Sequence, residues 1–398
     1  MFKKHRFITS DVLLICFSAF FADLGYQGVT ALFPLFLVIQ LHQPVYFYGI
    51  ITALSFGVGS FFAYFGGKLG DKIDKKTVAI LGNTFIPLMS FSALTHTLWL
   101  SGLLFILGWW ARYFRSPARR ALLVTVSKPE YRSNVFGLLH ALDIGGGMIS
   151  VIFALVFIWL FHLHISLIIL LSAIPLSIST FLLVLVKRDK DYTDKSKIKV
   201  TASVRHEQRN KVLFIALLVS ATFYGFSFYN LGFPILTAAL SHNYNYALGI
   251  LTYGIYLGVS AISGYVLGAR KIQPIRALWA LGYLPSSLAS LLVGFSILFH
   301  YPTLAFYVFI AGLGLGMGAV ETFEPTATSM LVKSSDLSSG MGWLSVSRSI
   351  GQFLSNLIMG MLFSFSQFFS YFYAFAAALI ATVILLTADF THKHEDEH

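Results

Sequence analysis

Charged side chains are scarce in this chain: 11% of its 398 residues, against about 25% in a soluble domain. That is too few to cover a water-facing surface, which excludes a soluble enzyme, a secreted disulfide scaffold and a nucleic-acid binder. Cysteine is nearly absent, and the lone Cys16 leaves no internal disulfide. Also missing are the G-x-x-x-x-G-K-[ST] loop of ATP users, the H-E-x-x-H zinc spacing and the G-x-S-x-G nucleophile elbow. ATP-driven work and intramembrane hydrolysis have no residues to carry them, and neither a cofactor nor a bound metal is expected. Ten-residue alternations are lacking as well, which excludes a membrane β-barrel.

What the chain has is hydrophobic length. Hydrophobic residues make up 57% of it, in continuous runs near 10–40, 44–66, 77–95, 98–118, 133–160, 163–186, 211–240, 244–269, 276–299, 303–332, 337–364 and 367–389. About 20 residues cross a bilayer as an α-helix, so the pattern predicts an all-α polytopic membrane protein with twelve transmembrane helices. The first run follows Lys3-Lys4-His5-Arg6 but continues to Gln40, far beyond a signal peptide's apolar core, and reads as a retained helix. The longest polar stretch divides a six-helix bundle at 1–186 from a second at 211–390. Residues 187–210 form a cytoplasmic linker and 391–398 a cytoplasmic tail.

The net charge of +11 reports topology. Lys and Arg cluster before span one, in the 2–3, 4–5, 8–9 and 10–11 loops, in the central linker and in the tail. The six opposite loops hold none, and Arg112, Arg115 and Arg348 lie inside spans. Positive residues stay on the cytoplasmic side, which places both termini inside and the chain in the cytoplasmic membrane.

The halves also repeat. Gly25, Phe33-Pro34, Gly49-Ile50 and Thr52 recur 200 residues later as Gly225, Phe233-Pro234, Gly249-Ile250 and Thr252. Gly57 and Gly67 return after 201 residues, and Gly137 and Ser150 after 205. A slowly drifting register over several spans predicts duplicated six-helix bundles with a substrate path between them near the midplane.

The 2–3 loop reads Gly67-Lys68-Leu69-Gly70-Asp71-Lys72-Ile73-Asp74-Lys75-Lys76, and span four contains Arg112-Tyr113-Phe114-Arg115-Ser116-Pro117-Ala118-Arg119. These stretches resemble the signature loop and the arginine-bearing fourth helix of the major facilitator superfamily, with Asp74 in place of a second glycine. Within that superfamily, Asp23, Pro34, the Arg-Ser-Pro-Ala-Arg run and Asp143 resemble prokaryotic multidrug-type permeases. Gly145-Gly146-Gly147 stands where drug antiporters carry a Gly-Pro step. The resemblance implies alternating access by rocking of two bundles. It also implies a cytoplasmic gate built on Gly67, Gly70, Asp71, Lys72, Lys75 and Arg119. Asp71, at a helix end, can accept from Arg119 or Arg120 and face the amino end of span eleven.

Ionisable groups inside spans cost about 2.5–3.5 kcal/mol each and mark function by default. Here they are Asp23, Arg112, Arg115, Asp143, Glu321, Glu324 and Arg348. Spans four and five turn near Pro129, with Arg115 fourteen residues before it and Asp143 fourteen after. Spans ten and eleven turn near Ser335, with Glu321 fourteen before and Arg348 thirteen after. Equal depth predicts two structural ion pairs, Arg115–Asp143 and Glu321–Arg348, with signs exchanged between the halves. If Arg348 takes Glu324 instead, the two glutamates exchange roles.

Asp23 sits mid-span with Gln27 and Thr30 on or near its face. A carboxylate there can load and release a proton as access alternates; the plainer alternative is an interhelical hydrogen bond. Glu324, with Glu321 one turn away, is the second proton-coupling candidate. Arg112 either binds an anionic substrate group or pairs with Asp23. Gln27, Tyr224, Tyr229 and Asn230 are candidate substrate contacts, ordinary packing being the alternative for the tyrosines. His42, His96, His162, His164, His242 and His300 fall in outer loops without Lys, Arg, Asp or Glu, a pattern that fits an acidic exterior where imidazoles carry charge. The expectation is a monomeric secondary transporter of a small organic solute, coupled to protons or alternatively to sodium, with export preferred over proton-symport uptake of an organic anion. A non-transporting sensor is the remote alternative.

Overall fold

A computed structural model describes residues 9–127, 132–187, 204–227, 231–241, 245–268, 270, 272–332 and 337–394. The side chains at 71, 124, 132–134, 136, 137, 140, 204–210, 329, 337–339, 341 and 392–394 lie outside that description. Asp71, Tyr229, Asn230 and His242 of the expected set therefore receive no structural account.

Every described element is helical. In chain order they are α1 (Ser10–Leu35), α2 (Val45–Thr52), α3 (Gly59–Lys72), α4 (Lys75–Phe85), α5 (Leu98–Thr125), α6 (Arg132–Trp159), α7 (Ile165–Leu171) and α8 (Ala173–Leu185). The second half supplies α9 (Val204–Ser227), α10 (Gly232–Leu240), α11 (Tyr246–Gly268), α12 (Pro274–Ala277), α13 (Leu284–Leu298), α14 (Thr303–Leu331), α15 (Leu337–Phe365) and α16 (Gln367–His394). Several join end to end into single spans. Wide π-turns at Phe36–Gln40, Ala53–Gly57 and Leu278–Tyr283 extend or link them, and a tight 3₁₀ segment at Ile86–Leu94 completes the third span.

Among the described residues, ten helical stretches are long and apolar enough to cross a membrane. The fourth and eleventh spans, α5 and α15, have 28 and 29 residues. They fall short in hydropathy because α5 carries Arg112 and Arg115, and α15 carries Arg348 among many serines. The two least apolar spans are thus the ones that hold arginine within the span. This is an all-α polytopic membrane protein.

Two compact units divide the chain. Unit 1 comprises Met1–Gln43, Leu54–Lys195 and Leu231–Gly254; unit 2 comprises Pro44–Ala53, Ser196–Asn230 and Ile255–His398. The boundary departs from the linker at 187–210 in two segments, since 44–53 counts with the second half and 231–254 with the first. The physical reason lies in local packing. Gly49 lets α2 approach the Asn356 carbonyl and Gly360 of α15 within unit 2, while Gly254 lies against Val151 of α6 within unit 1. Thr52 also donates to Asn356 Oδ1 at 3.1 Å.

In unit 1, α1 packs on α6, α8 and α10, and α5 packs on α3, α4 and the 3₁₀ segment. Val12, Ile15, Cys16, Ala19, Val78, Leu123 and Val135 form its buried core at one end. In unit 2, α9 packs on α15 and α16, and α13 on α14 and α16, around Leu217, Tyr224, Leu278, Tyr283, Val320 and Phe323. The duplication shows in the contacts. Gly146 of α6 abuts the Phe20 carbonyl of α1, and Gly351 of α15 abuts the Thr222 carbonyl of α9. Likewise Gly82 lies on the backbone of Arg115, and Gly282 on the side chain of Val320.

Candidate functional site

Each unit buries one cluster of ionisable groups. In unit 1, α1 presents Asp23, Tyr26 and Gln27 one turn apart. Asp23 is 4% exposed and accepts a hydrogen bond from the Tyr26 hydroxyl. The Gln27 amide lies 3.4 Å from the same oxygen, Oδ1, while Oδ2 has no hydrogen-bond partner. Arg112 of α5 donates to the Tyr26 hydroxyl at 3.2 Å. Its guanidinium stands 4.5 Å from the Tyr26 ring centroid, 4.8 Å from that of Trp109 and 5.7 Å from that of Tyr113, distances at which cation–π attraction operates. The Gln27 carbonyl in turn accepts from Tyr253 of α11. Of the two sequence alternatives for Arg112, the hydrogen bonds show a connection to Asp23, with Tyr26 as the intermediary.

Deeper along α5 the expected ion pair changes partner. Arg115, 1% exposed, donates to Asn83 Oδ1 at 2.6 Å. Asp143 faces Arg119 instead, at 3.6 Å. The equal-depth estimate assumed that the spans diverge evenly from Pro129; the pairing found is one helical turn nearer that connection. Arg119, placed by resemblance at the cytoplasmic gate, is consequently buried inside unit 1, 4% exposed.

The rest of the gate region behaves as helix-packing and capping chemistry. Gly67 and Gly70 allow α3 to lie against Pro117 and Ala118 of α5. Asp74, the departure from the signature, caps α4, accepting from the Thr77 amide at 3.0 Å and its hydroxyl at 2.7 Å. Lys72 is exposed and Lys75 half-buried. The Asp71 side chain is outside the described residues.

Unit 2 holds the counterpart. Arg348 of α15 touches both glutamates of α14, with Nη2 2.9 Å from Glu321 Oε1 and Nε 3.4 Å from Glu324 Oε2. The alternatives left open by sequence are thus both realised. Glu324 is fully buried, and Glu321 has a side chain 53% exposed. Tyr283 donates to Glu324 Oε1 at 2.7 Å and stacks on Tyr224 with centroids 4.6 Å apart. Tyr224 meets Ser286 Oγ at 3.1 Å and is buried in the unit 2 core. Tyr26, Asn83 and Tyr283 are the members that sequence reasoning missed. Tyr26 had a usable signal, its three-residue spacing from Asp23 on one helix; Asn83 and Tyr283 had none.

Long apolar helices, a few of which bring ionisable groups together inside each unit, define a polytopic membrane protein. The family model described as Major Facilitator Superfamily matches residues 15–323, and the chain belongs to that superfamily. No curated protein matches the sequence. Among solved structures, a POT family transporter in complex with a thioalcohol-conjugated peptide is similar at a TM-score of 0.77 and 13% identity, with 96% of each chain covered. A bacterial homolog of the human lysosomal transporter Spinster, inward-facing and unoccupied, gives 0.67 at 13% identity, covering 96% of this chain and 95% of that one. A mutant of the nucleoside transporter NupG gives 0.66 at 14% identity, covering 96% and 99%. At such identities these likenesses concern the fold.

Proposed function

We propose that the protein is a proton-coupled secondary transporter that moves a small organic solute across the cytoplasmic membrane by alternating access, both termini being cytoplasmic. The observation that carries this reading is the placement of Arg348 between Glu321 and Glu324. One guanidinium neutralises one carboxylate. Where Arg348 pairs with the half-exposed Glu321, the fully buried Glu324 is left to take a proton beside the Tyr283 hydroxyl. Asp23, hydrogen-bonded but with one oxygen unpartnered, is the equivalent proton site in unit 1. Two bundles, 1–186 and 211–390, joined by the linker 187–210, are the bodies that alternate.

The solute class is supported by the fold neighbours, among them POT family transporters in complex with a thioalcohol-conjugated peptide and with 5-aminolevulinic acid, and the nucleoside transporter NupG. The resemblance of Asp23, Pro34, the Arg-Ser-Pro-Ala-Arg run and Asp143 to multidrug-type permeases supports export. A second reading, symport uptake of an organic anion, is favoured by Arg112, held beside Tyr26 within the span. The test is flux in proteoliposomes under imposed proton and sodium gradients of either direction. Gradient-driven flux lost in Asp23→Asn or Glu324→Gln, with solute exchange retained, supports proton coupling; flux indifferent to the proton gradient in the parent removes it.

A further inference from the structure

The clusters in the two units carry opposite surpluses. Unit 1 brings together Arg112, Arg115 and Arg119 of α5 with Asp23 of α1 and Asp143 of α6, three guanidinium groups against two carboxylates. They interact electrostatically: Asp23 with Asp143, Arg112 and Arg119, and Arg115 with Arg119, Arg112 and Asp23. The hydrogen bonding is incomplete in the same sense. Nε of Arg112, of Arg115 and of Arg119, and Nη1 of Arg119, are buried donors without an acceptor. Buried guanidinium donors are ordinarily satisfied, because leaving one unpaired in a low-dielectric interior is costly.

Arg115 and Arg119 are fully buried, whereas Arg112 remains partly exposed. An incoming anion can reach the surplus there. The surroundings at that point are Tyr26, Trp109 and Tyr113 on the guanidinium, with the Tyr26 hydroxyl and the Gln27 amide alongside. Apolar rings bordering a planar cation favour an anion that brings an organic body over a small hydrated ion.

We propose that Arg112 is the docking point for the carboxylate of an organic anion, and that this anion binds together with a proton on Asp23. This rests on the symport reading above and names its substrate class. The groups that bear on Asp23 are Tyr26 and Gln27 of its own helix, Arg112, Arg115 and Arg119 of α5, Asp143 of α6 and Tyr253 of α11. The other elements packed on α1, namely α7, α8, α10 and Ile86–Leu94, carry no titratable side chain. With Asp23 ionised the cluster has one positive charge in excess. A proton on Asp23 leaves two, so the anion binds more tightly to the protonated form, and by linkage the proton binds more tightly when the anion is present.

The experiment uses the purified full chain and three probes with one body and different heads: phenylacetate, phenethylamine and phenethyl alcohol, with inorganic phosphate as the small-anion arm. The readout is the thermal unfolding midpoint against probe concentration. Phenylacetate is expected to raise the midpoint and the other three to leave it unmoved. Arg112→Gln should weaken phenylacetate binding by at least about tenfold, and Arg112→Lys by less, as loss of a charge-assisted hydrogen bond requires. Binding should be tighter at about pH 5.5 than at about pH 8, where phenylacetate itself is ionised throughout, and Asp23→Asn should remove that difference. Equal effects of phenethylamine or phosphate, full retention in Arg112→Gln, or a pH dependence that survives Asp23→Asn would each overturn the proposal. Its fate separates from that of the transport reading. Gradient-driven flux of an organic cation in place of the anion sinks this inference alone, and phenylacetate binding without any gradient-driven flux sinks the other alone.

Discussion

Arg119 lies 3.6 Å from Asp143, one helical turn beyond the arginine that equal depth assigns to it, and Arg115 turns to Asn83 instead. A double-mutant cycle distinguishes the two pairings. Asp143→Asn and Arg119→Gln should each destabilise the purified protein by about 3 kcal/mol, the low end for breaking a buried pair, since Asp143 keeps a side chain 24% exposed. The two changes together should cost clearly less than their sum. Arg115→Gln combined with Asp143→Asn should be additive. Coupling to Arg115 rather than Arg119 in denaturant unfolding would refute the pairing.

Tyr283 and Glu321 flank Glu324 in different ways, so their removal should be told apart. Tyr283→Phe leaves a fully buried carboxylate oxygen without its 2.7 Å donor, an expected loss of about 1–3 kcal/mol. Glu321→Gln removes the more exposed partner of Arg348 and should cost under about 1 kcal/mol. In transport, the order reverses its meaning: Glu324→Gln should keep the Tyr283 hydrogen bond and the fold while abolishing gradient-driven flux. Thermal melts combined with proteoliposome flux check all three. A Glu324→Gln variant that still concentrates solute under a proton gradient would count decisively against coupling at this residue.

How much of this was legible beforehand depends on chain separation. Span number, duplication and the candidate charges follow from composition and from glycine and proline spacing, because a bilayer sets span length and closely packed helices need small residues at fixed offsets. The partner of each charge is a different kind of fact. Arg348 with Glu321 and Glu324 could be read from a hairpin, since neighbouring spans share depth. Arg115 with Asn83, or Tyr283 with Glu324, joins helices whose rotation about their own axes no periodicity specifies at the one-turn level. The Asp23–Tyr26–Arg112 chain lies between these cases. Its first link is local to α1 and readable, while its second requires knowing which face of α5 turns toward α1. The charged members of each cluster were legible, while their polar partners Asn83 and Tyr283 and the wiring between distant helices were not.

The neighbouring glycines 145 and 146 offer an internal control on the duplicated packing. A Cβ on Gly146 would overlap the carbonyl of Phe20, whereas one on Gly145 meets nothing within 4 Å. Gly146→Ala should therefore force α1 and α6 apart at a cost of about 1–3 kcal/mol. Gly145→Ala should be neutral or stabilise by up to about 1 kcal/mol, from the lower backbone entropy lost in a helix. The tight contact of Gly146 recurs 205 residues on at Gly351, so Gly351→Ala, which meets the Thr222 carbonyl, should cost more than Gly342→Ala on the same helix, which meets nothing within 4 Å. Equal melting temperatures for the two members of either pair would show that the contact is not tight.

Three of the six histidines in the loops without Lys or Arg hold a special backbone position. His42, His162 and His300 have φ of 52°, 49° and 51°, the left-handed region that terminates helices. The residue after each reaches back to close the final turn: Gln43 to the Leu37 carbonyl at 3.1 Å, Leu163 to Phe157 at 3.0 Å and Tyr301 to Ser296 at 2.9 Å. Histidine is among the few residues other than glycine that enter this region readily. Substitution can separate that role from charge. Glycine at these positions should hold or raise stability by up to about 1 kcal/mol per site, and valine should lower it by more than about 1 kcal/mol. Asparagine should be near neutral, since it accepts the same backbone but does not titrate. Transport measured against external pH in the triple asparagine variant then isolates the imidazoles. A profile identical to the parent assigns these three histidines to helix termination alone, and a flattened one shows that their protonation is felt by the transport cycle.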